Sequence, residues 1–179
     1  LHGVFRRQRQ MCIRDRSPRA ADELEIPFVA SGGMADARSL VAAMALGAEG
    51  MNMGTRFIAT KDAPVHENVK KAIVNASELD TRLIMRSLTN TERVLTNPAV
   101  DRLMEKEKAL GEKLTFSDIV DEVAGVYPTI MMDGDMDAGA WSCGMVAGLV
   151  YDIPSVKELI DRIMSEAEEI IQSKLKKAV

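Results

Sequence analysis

The amino-acid sequence predicts an α/β fold, and three observations carry the prediction. Two short apolar runs, residues 28–30 and 50–53, each lead into a glycine turn, the first at Ser31, Gly32 and Gly33 and the second at Gly54 and Thr55. Between them, residues 36–46 place Leu40, Val41, Met44 and Ala45 at helical spacing, the face expected to pack on a sheet, with Asp36 and Arg38 in water. A strand, a helix and a strand in that order give a parallel pair whose C-terminal ends share one edge, so the two glycine turns are expected side by side.

Taken in order, the chain opens with residues 1–20, which hold six arginines against one aspartate and show no apolar periodicity and no helix caps. A basic nucleic-acid arm or a targeting segment has that composition. The favoured expectation is instead a non-native or disordered segment outside the fold, with the N-terminal strands of the fold missing from the sequence. Residues 21–25 read as the tail of a helix. The first strand is then expected to be buried, and its two successive glycines let backbone N–H groups approach an anion closely. The helix that follows adds a dipole favouring negative charge, and Gly47 is placed to end it.

Pro64 suits the first turn of a helix reaching about residue 77, with Val69, Ile73 and Val74 inward and Glu67, Lys70 and Lys71 in water. His66 is read as a helix-start residue, because no carboxylate or cysteine partner is evident beside it. Residues 79–97 read as an extended crossing with Arg82, Arg86 and Arg93 on its polar side. A charged helix follows over residues 99–110, stopped by Gly111, and then a helix over residues 115–124 capped by Thr115 or Ser117. Asp133, Asp135 and Asp137 around Gly134 lack the spacing and final glutamate of a calcium loop, so a turn is expected and no metal site. Residues 138–150 read as a helix rich in small residues, and Cys143 as a packed thiol. Residues 154–177 read as one amphipathic helix, with Val156, Leu159, Ile160, Ile163, Ala167, Ile170 and Ile171 on its stripe and lysines at its C-terminus.

Composition bounds the function. The chain has 179 residues, 46% of them apolar, enough for one core but short of the roughly 250 a full eight-fold barrel needs. Net charge is −4 with the arginines concentrated at the start, so the acidic body gives no reason to expect nucleic-acid binding. There is no apolar run long enough to span a bilayer. Cys12 and Cys143 are too few for a disulfide framework, which makes a cytoplasmic setting the default.

The strings ASGG at residues 30–33, LGAEG at 46–50, MNMGTRF at 51–57 and ATKDAPVHENVKKAIV at 59–74 resemble the nitronate monooxygenase family, formerly called 2-nitropropane dioxygenases. This family includes the FMN-dependent enoyl-ACP reductase of the same barrel type. The resemblance runs over about residues 24–179. It implies the C-terminal portion of a TIM (β/α)8 barrel: residues 21–78 as the last β-α-β units of an FMN-binding barrel, and residues 79–179 as a mainly helical region packed on it.

By the same resemblance Gly33, Asn52, Met53, Gly54 and Thr55 match the family's FMN-phosphate positions, with Ser31 and Gly32 beside them. The N–H groups of Gly33, Gly54 and Thr55 and the Thr55 hydroxyl would be the donors. Asn52 and Met145 stand where the family more often has glutamine. Arg56 is read either as facing the phosphate or as salt-bridged to the body of the protein. The implied activity is FMN-dependent oxidation of an alkyl nitronate with oxygen to a carbonyl compound and nitrite. The family's glycine-rich GGH-type motif with its catalytic histidine has no match here, His2 included, so the catalytic residue is unknown and this chain alone is expected to bind FMN weakly and turn over little.

Two alternatives stand beside it: an FMN- and NADH-dependent enoyl-ACP reductase acting on an enoyl thioester, and a non-flavin phosphate barrel of the inosine-monophosphate dehydrogenase type. The latter needs a cysteine loop after the second phosphate turn, and no cysteine lies between Thr55 and Asp133. A homodimer is left open.

Overall fold

The computed structural model describes residues 13–177, which divide into two compact units. The first comprises the chain up to Gly54 together with the segment from Lys157 onward, and the second runs from Thr55 to Val156. His2, Cys12 and the arginines before residue 13 lie outside the described residues.

In the first unit, helix α1 (Ile13–Glu23) precedes strand β1 (Val29–Ser31), helix α2 (Ala37–Ala45) and strand β2 (Gly50–Asn52). Residues 13–20 are therefore helical, where the sequence suggested a segment without regular structure. Ser17 is buried, and a Cβ added at Gly47 would collide with Ala21, so this helix lies close against the turn that follows α2. Gly47 takes φ +93, the left-handed conformation that ends a helix readily only in glycine. β1 and β2 pair in parallel with Val29 opposite Gly50, Ala30 opposite Met51 and Ser31 opposite Asn52.

The first strand is not buried throughout. Ala30 is 5% exposed but Val29 is 60% exposed, because a side chain alternates faces along a strand and only one face meets α2. That face is a small core of Ala30, Met34, Ala43 and Ala48, with Phe28, Met51 and Met53 against it. The helix is buried on a different stripe from the one expected. Ala43 meets the sheet, while Ala37 and Val41 pack with Ala167 and, at their margin, Leu40, Ile170 and Ile171. Met44 and Ala45 are left in solvent. The partner in that contact is helix α8 (Val156–Ile170), which continues as a single π-helical stretch to Leu175. Leu159, Ile163 and Ala167 are its buried stripe, and Ile160 lies outside it.

The second unit begins with a single helical turn, α3 (Thr55–Ile58), then α4 (Glu67–Asn75). His66 caps α4 through Nδ1, which accepts the Asn68 N–H at 3.1 Å, as a helix-start residue would. Lys70 departs from expectation: it is buried, with Nζ 3.3 Å from the Lys61 carbonyl and 2.9 Å from Glu67 Oε1. A long aliphatic stem beside Val69 and Ile73 explains how a lysine occupies the inner face while its ammonium stays paired.

Residues 79–97 form an antiparallel hairpin rather than an extended crossing. β3 (Thr81–Ile84) pairs with β4 (Glu92–Leu95), and the turn between them uses Met85 and Thr89 at φ near +55. Helix α5 (Pro98–Leu110) starts at Asn97, whose Oδ1 accepts the Val100 N–H at 2.8 Å, and stops at Gly111. The segment after it is broken into a 3-10 turn capped by Thr115 and Asp118 and a short helix α6 (Val120–Val123), then α7 (Tyr127–Met131).

Residues 138–150 are not a helix. Ser142 forms an isolated bridge to Val94, Cys143 donates its N–H to the Arg93 carbonyl, and only Met145–Leu149 turns, as 3-10. Trp141 is thereby set into the core with Val69, Ile73, Val126, Ile130 and Val150. Gly139 and Gly148 are glycines because a Cβ would meet Val126 and the Glu78 N–H respectively at 2.6 Å.

Candidate functional site

The register of the parallel pair puts Ser31 and Asn52 side by side at the ends of β1 and β2, and the Asn52 amide donates to the Ser31 hydroxyl at 3.2 Å. Gly32 and Gly33 leave that edge from one strand, and Met53 and Gly54 from the other. Five of these predicted residues, Ser31, Gly32, Gly33, Asn52 and Gly54, are exposed, and Met53 turns inward against the Ala30 core.

The three glycines differ in why they are glycine. Gly32 and Gly33 take φ +98 and +73, a conformation that costs other residues roughly 1–2 kcal/mol. Gly54 is outside the left-handed region, and a Cβ added to it meets nothing within 4 Å. The space beside Gly33 is equally open. Among the described residues, no internal acceptor takes the N–H of Gly33 or Gly54.

The start of α2 is arranged differently from the sequence expectation. Asp36 is itself the N-cap: its Oδ1 accepts the Ser39 N–H at 3.0 Å, and the Ser39 hydroxyl takes the N–H groups of Ala35 and Asp36 at 3.1 Å. Burial alone would raise the Asp36 carboxyl, but the bonds from the Ser39 N–H, Arg38 and the Ser39 hydroxyl outweigh it and hold the group below the usual carboxylate range. The positive end of this helix is already answered by the chain's own carboxylate. The uncommitted donors on this edge are the glycine amides.

Thr55 follows Gly54 and opens the second unit. Its Oγ1 accepts the Gly144 N–H at 3.0 Å, and it hydrogen-bonds the Cys143 side chain. Cys143 is 2% exposed, and burial pushes its thiol up to about 11, against a smaller lowering by Thr55, so it is a packed, protonated thiol. Arg56 takes the second of its two predicted roles. It is 2% exposed and donates to the Ala59 carbonyl at 3.4 Å and to the Asp152 carbonyl and carboxylate at 3.1 Å.

The segment at residues 133–137 is a turn: Gly134 at φ +76 lies against the His66 ring, and its N–H returns to the Ile130 carbonyl at 3.2 Å. Among the described residues, no group of three or more His, Cys, Asp and Glu side chains converges as metal ligands, and no helix is long and apolar enough to cross a membrane.

Sequence reasoning missed Gly144 and Cys143 as neighbours of Thr55. The signal was present only as small residues in a segment read as a helix, and a helix would have carried them elsewhere.

The class defined by this geometry is an α/β protein with backbone donors at the paired ends of two parallel strands. A model of the nitronate monooxygenase family matches residues 11–166, and the chain belongs to that family. It is 30% identical to a (3aS,4S,5R,7aS)-5-hydroxy-7a-methyl-1-oxo-octahydro-1H-indene-4-carboxyl-CoA dehydrogenase of Mycobacterium tuberculosis, over 83% of this chain and 51% of that one. It is 26% identical to a probable nitronate monooxygenase of Staphylococcus aureus, over 88% of this chain and 43% of the other. Among solved structures, FabK from Thermotoga maritima superposes with a TM-score of 0.87 at 32% identity, covering 95% of this chain and 53% of FabK. A nitroalkane oxidase from Streptomyces ansochromogenes shares the fold at a TM-score of 0.71 and 19% identity, over 91% of this chain and 45% of its own. The chain thus spans about half the length of the relatives it matches.

Proposed function

We propose that this chain is the phosphate-binding portion of an FMN-dependent oxidoreductase built on a TIM barrel, one that oxidises alkyl nitronates with oxygen to a carbonyl compound and nitrite. The observation that carries the reading is Gly54. It is a glycine that neither its backbone conformation nor any neighbouring protein atom requires, beside a second open glycine, Gly33, on the adjoining strand end. A phosphate approaching both amides accounts for it.

The residues present fit such a group. Gly33 and Gly54 would donate backbone N–H bonds, Thr55 would add its N–H and hydroxyl, and Ser31, Gly32, Asn52 and Met53 would shape the rim. Asp36 keeps a negative charge near this edge, tied to Arg38 and Ser39. When bound, FMN supplies electron transfer between substrate and oxygen, and the protein's part is to hold and orient it. The GGH-type motif has no match in this sequence, and no residue of the chain is assigned as catalytic base.

A second reading, reduction of an enoyl thioester with NADH, is favoured by the relative named a carboxyl-CoA dehydrogenase and would use the same cradle. The test is titration of the chain with FMN and with riboflavin, followed by oxygen uptake with an alkyl nitronate and NADH consumption with an enoyl thioester. FMN is expected to bind at least tenfold more tightly than riboflavin, without turnover by this chain alone. Equal affinities would overturn the phosphate reading. Nitronate-dependent oxygen uptake would show the catalytic groups to be present after all, and NADH consumption alone would select the thioester reading.

A further inference from the structure

Within the first unit, helix α1 lies beside β1 and leaves a space against it. Arg16 and Ala20 are four residues apart and Ser17 and Ala20 three, so the three share one side of the helix. Together with residues 28–31 they line a cavity of about 250 Å³. The four strand positions are consecutive, so the cavity follows the edge of β1 away from β2 rather than one face of the sheet.

The polar side chains around this space have protons to give. Arg16 is exposed and, unlike Arg19, which pairs with Glu23, makes no ion pair or hydrogen bond among the described residues. Ser17 is 5% exposed, yet its hydroxyl has no hydrogen-bond partner among the described residues. Buried hydroxyls are ordinarily bonded, so an acceptor in the cavity is what this one lacks. The Ser31 hydroxyl accepts the Asn52 amide at 3.2 Å and has its own proton to donate. No aspartate or glutamate lines the space, so its charged group is a cation. The rest of the wall is apolar and includes Ala20, Phe28 and Val29, the last exposed on a parallel pair of a kind whose faces are ordinarily covered.

The cavity is smaller than the roughly 300–1,000 Å³ of a drug-sized site, which calls for a small ligand. A guanidinium meets two oxygens in one plane through parallel N–H bonds. We propose that this cavity binds a short alkyl chain ending in a planar two-oxygen anion, a carboxylate or a nitronate. The anion sits on Arg16 and the hydroxyls of Ser17 and Ser31, and the chain lies on Ala20, Phe28 and Val29. The site is additional to the phosphate cradle and stands without the FMN reading, although Ser31 borders both.

The test titrates the whole 15N-labelled chain, without flavin, with pentanoate and with the nitronate of 1-nitropentane. Pentanamide is the neutral control and acetate the control without a chain. The amides of Ser17, Ala20 and Ser31 are expected to shift at one midpoint with either five-carbon anion, while Gly134 in the second unit stays still. Pentanamide and acetate should each bind at least about tenfold more weakly than pentanoate. Whichever anion binds more tightly identifies the source, a nitronate or a carboxylic acid. Arg16→Gln should bring pentanoate down to the affinity of pentanamide and leave the preference for FMN over riboflavin as in the parent. Ser17→Ala should weaken pentanoate severalfold. Equal binding of pentanoate and pentanamide to the parent chain, or shifts that miss these three amides, would overturn the proposal, and that comparison decides even if a variant fails to fold. A chain with no preference for FMN over riboflavin would sink the phosphate reading alone, since no flavin enters this titration.

Discussion

Replacing Gly54 by alanine separates what the fold needs from what a ligand needs. The residue is outside the left-handed region and a Cβ there meets no atom within 4 Å, so the folded state tolerates the methyl group. Where a native conformation suits alanine, replacing glycine restricts the unfolded chain and stabilises by about 0.4–1 kcal/mol. Gly54→Ala is thus expected to leave stability unchanged or slightly raised in urea unfolding.

Its effect on FMN should run the other way. A hydrogen bond to a charged group contributes about 1.5–3 kcal/mol. Holding the phosphate off one amide should therefore cost on the order of tenfold or more in affinity, each factor of ten being about 1.4 kcal/mol. Riboflavin, which lacks the phosphate, is the internal control and should bind the variant as it binds the parent. The assay is flavin fluorescence titration beside urea unfolding on the same preparations. A variant that stays folded and keeps its full preference for FMN over riboflavin would refute the reasoning, because no anion would then be approaching Gly54.

Four further outcomes follow from the structure. Gly134→Ala forces a left-handed backbone at φ +76 and drives a methyl group into the His66 ring, so a loss of about 2–4 kcal/mol is expected in urea unfolding. Trp141→Ala, at a position 1% exposed, should cost about 3–5 kcal/mol by the same measurement. Asp36→Ala removes the α2 N-cap and should cost about 1 kcal/mol near neutral pH. Since the folded-state pKa of Asp36 is depressed, its contribution is present above the unfolded carboxylate value and lost as pH falls through the folded one. The parent and the variant should therefore converge in stability in strong acid. Cys143, with its thiol pushed up to about 11, should resist alkylation at pH 8 in the folded chain and react once urea unfolds it.

The β-α-β unit was legible because the rules that build it are local. Two apolar runs entering glycine and an amphipathic helix between them need only neighbouring residues, and the parallel strand pair and the helix stop at Gly47 emerged where the pattern put them. The helix face was misjudged because two surfaces compete for it. Ala37 and Val41 answer to α8, far away in the chain, and Met44 lost out. The hairpin at β3 and β4 was illegible since its turn is built on Met85 and Thr89, without the glycine or asparagine-glycine pair that signals a left-handed backbone. In the segment from 138 to 150, each glycine answers a distant neighbour, Val126, Thr55 or Glu78, and tertiary contact overrode helical reading. Of the candidate site, the strand-end residues were readable from sequence. The coupling of Gly144 to Thr55 was not, because nothing local links positions that far apart.

The most direct measurement is an experimental structure of the chain with FMN bound. The phosphate oxygens should lie within about 3.2 Å of the N–H nitrogens of both Gly33 and Gly54, with the Thr55 hydroxyl donating to the same group. A phosphate seated anywhere else on the chain, or contacting only one of the two strand ends, would contradict the account.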